Sequence, residues 1–278
     1  MPKTQVVQNT IGEKRGTKRK GVRPCFLVTN DDGIQSDGLH ALAEELRAIA
    51  DVFIIAPDRE QSAVSHSFTM TRPLRATRID DWTTAIDGTP ADCVMFGTKG
   101  YLNHLPDLLM AGVNKGPNLG HDTIYSGTVA AAYEGHLSGL PSVAISLNYP
   151  NREYQAKDFD FSAAARFGRL LAEEILKRGL PSGVFLNVNV PHVSWEEIRG
   201  VTITRLGQRQ YHDQLIKRID PFGRDYYWIG GDPPTWVKAD GTDFHALEDN
   251  KVSITPLGQD MTQFHAIPEL DRWGLSLS

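Results

Sequence analysis

Short apolar runs that stop abruptly at polar, turn-forming residues constrain this chain more than any other feature. Cys25-Phe26-Leu27-Val28-Thr29 reads as a buried strand, and Asn30-Asp31-Asp32-Gly33 ends it with four residues that favour turns. A helix follows from Ser36 or Asp37, either of which can cap it. Leu39, Leu42, Ala43, Leu46, Ile49 and Ala50 then recur at helical spacing and make one apolar face. Val52–Ala56 is the next buried strand, closed by Pro57-Asp58-Arg59. Strand, helix and strand with short joints form a βαβ unit, which implies a parallel sheet and a right-handed crossover.

After a looser stretch through Arg78 the pattern resumes. Asp92–Leu102 is read as a helix, Leu108–Val113 as a strand, and Ser126–Ser138 as a helix stopped by Gly139 and Pro141. Ser142–Leu147 is a further strand, and Phe161–Arg178 is a helix with Ala164, Phe167, Leu171 and Ile175 on one side. Val184–Val190 and Val201–Thr204 complete the regular part. From about residue 205 the chain is richer in aromatics, Gly and Pro, and reads as a β-rich or extended excursion. The predicted architecture is α/β, a doubly wound sheet with an irregular C-terminal addition.

Charge separates the chain into two parts. Lys3, Lys14, Arg15, Lys18, Arg19, Lys20 and Arg23 face a single acid, Glu13, so residues 1–23 form a +6 tail; the remainder carries −11. An acidic body argues against a duplex nucleic-acid binder, which needs a cationic surface to displace counterions. For the tail the expectation is a solvated extension, with RNA contact or an organelle address as the other readings. No run is long enough for a membrane span or a secretory signal, and two cysteines cannot build a disulfide framework. The expectation is a cytoplasmic protein.

Ligands of open parallel sheets sit beyond the carboxyl ends of strands, and three polar clusters fall there. In the first, a turn aims Asp31 and Asp32 at one point, where a hard divalent cation relieves their repulsion. The alternative is one helix cap and one solvated acid. The second cluster, Asp58-Arg59-Glu60-Gln61-Ser62 with Ser65-His66-Ser67, either shares that site or is plain surface. The third runs Gly112-Val113-Asn114-Lys115-Gly116-Pro117-Asn118-Leu119-Gly120, through Asp122, to Tyr125-Ser126-Gly127-Thr128, which opens a helix. Free amides at Ser126–Thr128 are an anion site or a capped glycine-rich turn. The spacing matches neither the Walker loop nor the dinucleotide fingerprint. Taken together the clusters hold the parts of metal-assisted phosphate-ester hydrolysis. No Ser-His-Asp set suggests itself, and the adjacent acids followed by Gly33 do not make the Asp-x-Asp of a haloacid-dehalogenase-type phosphatase.

Several of these segments resemble the stationary-phase survival protein SurE family. They are Leu27–Ile34, Ala56-Pro57-Asp58-Arg59 with Ser62, Thr71–Leu74, Gly88–Val94, Ser253–Leu257 and, most distinctively, Gly112-Val113-Asn114 through Val129. The likeness spans residues 24 to about 262. It implies a Rossmann-like core and a phosphatase of nucleoside monophosphates, chiefly 5′-nucleotides, using one divalent metal ion per subunit, Mg²⁺ or Mn²⁺. By motif match, Asp31, Asp32, Ser62 and Asn114 fall on metal-ligand positions. Asn118 and Ser126 fall on phosphate-binding and catalytic positions, and Gly127 and Thr128 continue that loop. The resemblance further implies tolerance of 3′-nucleotides and short polyphosphate, and a homodimer or homotetramer joined through residues 205–278. It leaves residues 1–23 unaccounted for. His121 departs from the acidic or small residue commoner there; it reads as a rim contact or a proton donor to the leaving group.

Overall fold

In a computed structural model the described residues are 23–149 and 159–276. The elements in chain order are β1 (Cys25–Thr29), α1 (Asp37–Arg47), β2 (Asp51–Pro57), β3 (Ala76–Arg78), β4 (Thr83–Ile86) and α2 (Pro90–Phe96). Next come β5 (Leu108–Lys115), α3 (Gly127–Leu137), β6 (Ser142–Asn148), α4 (Ser162–Arg178), β7 (Val184–Pro191) and β8 (Val201–Ile203). The last are β9 (Arg209–Ile219), β10 (Asp225–Trp236), α5 (Asp243–Glu248), β11 (Val252–Gly258) and α6 (Ile267–Asp271).

Nine strands make one sheet in the order β3-β4-β2-β1-β5-β6-β7-β11-β8. The six from β4 to β7 run parallel, while β3 and β11 pair antiparallel with their neighbours β4 and β7. Alternation along β1 explains why both faces are covered. Phe26 and Val28 join a core with Leu39, Leu42 and Leu46 of α1 and Ala164, Phe167 and Ile175 of α4. Leu27, between them, points the other way, into a core with Cys93 and Val94 of α2 and Ala131 of α3. Burying a leucine such as Leu42 contributes about 1.5–3 kcal/mol, so these two cores hold the helices in place. The fold is α/β with a Rossmann-like core, as the pattern predicts. From β1 the chain builds outward through β2 to β4, then returns to β5 and builds the other way. The switch point therefore lies between β1 and β5, and a crevice opens there at their carboxyl ends.

Three local readings change. The helix expected over Asp92–Leu102 starts earlier, at Pro90, because Thr89 caps it and exchanges hydrogen bonds with Asp92. Its α-helical part ends at Phe96, and a wider turn through Gly100, at φ 132°, replaces the rest. The short strand β4 lies between that looser stretch, which ends at Arg78, and the helix, where no element is read; its two threonines hide a segment that is buried throughout. The third change concerns the boundary drawn at residue 205. Only β9 and β10 stand apart, paired with each other as a separate two-stranded ribbon. β11 returns to the main sheet between β7 and β8, where Val252 and Ile254 join the first core. Its Val-Ser-Ile-Thr alternation is that of a strand with one apolar face, which composition alone conceals.

Most of the basic tail lies outside the described residues. Arg23, its last cation, pairs with Asp51 at 3.3 Å. Both cysteines are buried and unpaired. Among the described residues no helix is long and apolar enough to cross a membrane.

Candidate active site at the strand switch point

The turn after β1 is held from within and from the next strand. Asn30 Nδ2 donates to the Gly33 carbonyl at 2.9 Å, and the Ile34 amide donates to the Pro57 carbonyl at 2.8 Å. Gly33 sits at φ 95°, and a Cβ there would lie 3.0 Å from the Arg59 carbonyl carbon. Only glycine satisfies both conditions without strain. The Gln61 amide donates to the Asp31 carbonyl at 2.7 Å, so the loop after β2 lies against the first turn. The first two polar clusters are thus neighbours.

Asp31 is 4 % exposed and reaches the start of α3. The Thr128 amide donates to its Oδ2 at 3.1 Å, and the Thr128 hydroxyl donates to Oδ1. A Cβ on Gly127 would lie 2.8 Å from Asp31 Cβ, so glycine is what lets the two backbones approach. The Ser126 hydroxyl accepts from the Val129 amide at 3.0 Å and caps the helix. Asp31 therefore occupies the N-terminal end of α3, where it takes the Thr128 amide, one of those predicted to be free, while the Val129 amide goes to Ser126. Asp32 is half-buried, and its Oδ2 accepts from the Lys115 amide at 3.0 Å. β1 and β5, adjacent in the sheet, thus bring the first and third clusters together.

Burial pushes the Asp31 carboxyl above the ordinary range, against the Thr128 hydroxyl and amide, which favour its charged form. Asp32 is pushed up to about 6, first by burial, then by the charge of Asp31 and, less, of Glu60; the Lys115 amide works the other way. Two buried acids are short of positive charge. One residue earlier, Asn30 Oδ1 is buried without a hydrogen-bond partner. Such an arrangement suits a hard cation, which lowers both pKa values at once. Among the described residues no three His, Cys, Asp or Glu side chains converge.

Two neutral candidates flank the acids. Asn114, at the end of β5, donates Nδ2 to the Gly116 carbonyl at 2.7 Å, leaving its side-chain oxygen for another partner. Ser62 is exposed on the rim, where its hydroxyl donates to Glu60 Oε1 at 2.8 Å. Asn118 is buried to 7 % exposure; its Nδ2 donates to Ser146 Oγ at 2.8 Å. His121 is exposed on a short turn, residues 120–124, between Asn118 and Ser126.

Sequence reasoning passed over several supports. Thr128 was expected to face phosphate, and its grip on Asp31 was not foreseen. Asp243, fully buried at the start of α5, accepts from the Gly120 and Gly207 amides, each at 2.8 Å, and ties the loop after Asn118 to the segment before β9. Glu60 of the second cluster is close enough for its charge to act on Asp32. Asn187 and Asn189 on β7 carry the one signal that was readable, polar residues at every second position of an apolar strand.

Comparison with known proteins agrees with this geometry. Residues 26–213 match the family model described as "Survival protein SurE". The chain is 47% identical over 251 residues to the 5′-nucleotidase SurE of Geobacter sulfurreducens, covering 90% of this chain and 94% of that one. It is 42% identical over 264 residues to the 5′-nucleotidase SurE of Vibrio cholerae, covering 95% and 97%. The solved structure of the SurE protein from Aquifex aeolicus superposes with a TM-score of 0.81 at 40% identity, covering 91% of this chain and all of that one. A doubly wound sheet with an acidic pair at its switch point, matched over most of its length, belongs to the SurE family.

Proposed function

We propose that the protein is a divalent-metal-dependent phosphomonoesterase that hydrolyses nucleoside 5′-monophosphates to nucleoside and phosphate, with 3′-nucleotides and short polyphosphate as further substrates. The observation that carries this reading is the pair of buried, undercompensated carboxylates, Asp31 and Asp32, beside the N-terminus of α3. The activity for which the relatives are named, 5′-nucleotidase, points the same way.

In this reading Asp31 and Asp32 are the anionic ligands of one Mg²⁺ or Mn²⁺ ion, and Ser62 and Asn114 are the neutral ones. Such a cation supplies Lewis-acid polarisation of the phosphoryl oxygens and lowers the pKa of water. Thr128 holds Asp31 charged and in place through two hydrogen bonds. The Lys115 amide does the same for Asp32. Asn118 keeps one amide hydrogen for a phosphoryl oxygen after donating the other to Ser146, and Ser126, Gly127 and Thr128 form the opposite wall. The α3 dipole favours negative charge there, which an anionic substrate of a −11 body requires. His121 stands at the rim, toward the nucleoside.

The β9–β10 ribbon supports a homodimer or homotetramer joined through residues 205–278. It pairs with nothing else in the sheet and exposes Leu215, Phe222, Trp228 and Ile229. A cytoplasmic location completes this reading.

The test is phosphate release from metal-stripped protein resupplied with Mg²⁺, Mn²⁺ or Zn²⁺, on a panel of nucleoside 5′- and 3′-monophosphates and polyphosphate. Release restored by Mg²⁺ or Mn²⁺ and highest on 5′-monophosphates is expected. Release indifferent to chelation refutes the metal role. No release with any cation leaves a nucleotide-binding protein without catalysis.

A further inference from the structure

The sheet face covered by α3 changes character along its strands. Ala144 on β6 and Phe185 on β7, with Leu257 of β11, pack against Val129, Ala132 and Tyr133 of α3. Toward the carboxyl ends of β6 and β7 the same face carries Ser146, Asn187 and Asn189, all fully buried. Ser146 stands in register between Asn114 of β5 and Asn189 of β7. The hydrogen bonds of these three residues converge on Asn118. Asn187 Nδ2 and Asn189 Nδ2 donate to the Asn118 carbonyl at 2.8 and 3.0 Å. The Asn118 amide donates back to Asn189 Oδ1 at 2.9 Å, and Asn118 Nδ2 donates to Ser146 Oγ at 2.8 Å.

Asparagine is a poor choice for the interior of a parallel strand, where apolar residues bury at less cost. Asn187 adds to that cost, since its Oδ1 is buried with no hydrogen-bond partner. The core does not need these amides; the Asn118 peptide does. That peptide lies in a loop without secondary structure of its own, between β5 and the 120–124 turn. Side chains reaching from β7, 69 and 71 positions away, are what bond both its polar groups.

We propose that Asn187 and Asn189 are positioning residues for the phosphate loop: they fix the Asn118 peptide while Ser146 fixes its side-chain amide, so that Asn118 meets the phosphoryl group in one orientation. The inference rests on the reading of Asn118 as a phosphate-holding residue. Preorganised donors of this kind act without reorganising during the reaction, and a small displacement of such a donor is felt in rate.

The test uses the full chain with Mg²⁺ and a nucleoside 5′-monophosphate, and follows inorganic phosphate binding by calorimetry. Asn187→Leu removes the donor and the orphaned oxygen together, so its Tm stays within about 3 °C of the parent. Its kcat/KM falls about 10-fold or more, and inorganic phosphate binds about 10-fold more weakly. Ser146→Ala, a smaller change, moves both in the same direction by about 3-fold. In the double variant Asn118→Ala/Asn187→Leu the second change costs less than about twofold beyond Asn118→Ala alone. Asn187→Leu and Ser146→Ala that both keep catalysis and phosphate binding within about twofold of the parent overturn the positioning role. So do losses that multiply in the double variant. Asn118→Ala that retains activity and phosphate binding removes the reading of Asn118, and the positioning role with it. If Asn187→Leu does not fold, Ser146→Ala decides.

Discussion

The switch-point end of the sheet and the β9–β10 ribbon are opposite solutions to keeping polar backbone and apolar side chains together. At the switch point Asp31, Asn118, Ser126 and Thr128 are buried, and each is hydrogen-bonded to a residue from another part of the chain or to its own helix end. In the ribbon, eleven- and twelve-residue strands take their ladder hydrogen bonds from each other, and Arg209, Tyr211 and Trp236 tie its base to Asp122 and Phe244, while Phe222 is 83 % exposed and Ile229 81 %. A single hairpin with an apolar surface is not stable alone in water; the fold holds its base through Asp122 and Phe244, while Leu215, Phe222, Trp228 and Ile229 stay exposed. The site is a self-sufficient arrangement; the ribbon is an unfinished one.

The sharpest way to break that contrast is at the acidic pair. Asp32→Asn keeps shape and removes one negative charge. Metal-dependent phosphate release is expected to fall at least about 100-fold at millimolar Mg²⁺; activity near the parent's removes Asp32 from the ligand set.

The same variant tests the electrostatics by the opposite sign in stability. With its pKa raised from 3.8 to about 6, the folded protein binds the Asp32 proton more tightly than the unfolded chain does. The penalty is therefore absent below about pH 4, grows between pH 4 and 6, and is complete above that. In metal-free protein, Asp32→Asn is expected to be more stable than the parent by on the order of 2–3 kcal/mol at pH 8, with the gap closing by pH 4. Urea titrations at several pH values measure it, and a gap independent of pH contradicts the assigned cause.

Asp243→Asn comes next. Its carboxylate accepts the Gly120, Gly207 and Phe244 amides, and an asparagine turns an N–H toward at least one of them. A stability loss of about 1–3 kcal/mol is expected by chemical denaturation, with the loop after Asn118 exchanging its amide hydrogens faster. Unchanged stability means the two loops are held together by packing alone.

Gly127→Ala is smaller in stability and specific in place. The added methyl meets Asp31 Cβ at 2.8 Å and Oδ2 at 2.9 Å, and activity is expected to fall about 10-fold with less than about 1.5 kcal/mol of destabilisation. Full activity places the reacting centre away from the start of α3.

For the ribbon, Trp228→Glu is expected to lower the assembled mass seen by light scattering while leaving per-subunit kcat within about threefold. An unchanged mass shows that this surface is not what joins the subunits.

The sequence pattern carried the two ends of this comparison unequally. β1, α1, β2, β5, α3, β6, α4 and β7 were readable because buried strands and amphipathic helices repeat with short local periods. β4 was not readable, because burial of Thr83 and Thr84 is decided by neighbouring strands rather than by their own polarity. β11 was hidden by the aromatic- and proline-rich composition around it. At the site, Asp31, Asp32, Asn114, Asn118 and Ser126 were legible as polar clusters at strand ends, and the SurE resemblance gave each a role. Asp243 was not, since nothing local distinguishes a polar residue that supports a distant loop from one that faces solvent; Asn187 and Asn189 stand out as polar residues at every second position of an apolar strand, which does not say what they support.

The order of short apolar runs, helices and polar turns was enough to specify a doubly wound sheet and to mark which strand ends carry the polar clusters. Those features follow from periods of two and 3.6 residues, which any short window contains. Tertiary structure alone decided that Asp31 sits on the N-terminus of α3, 97 positions away, that β7 supports Asn118, and that β11 closes the sheet. Each is a hydrogen bond or strand pairing between segments far apart in sequence. Its partner is chosen by which surfaces the folded cores bring into contact, and no local pattern records that choice.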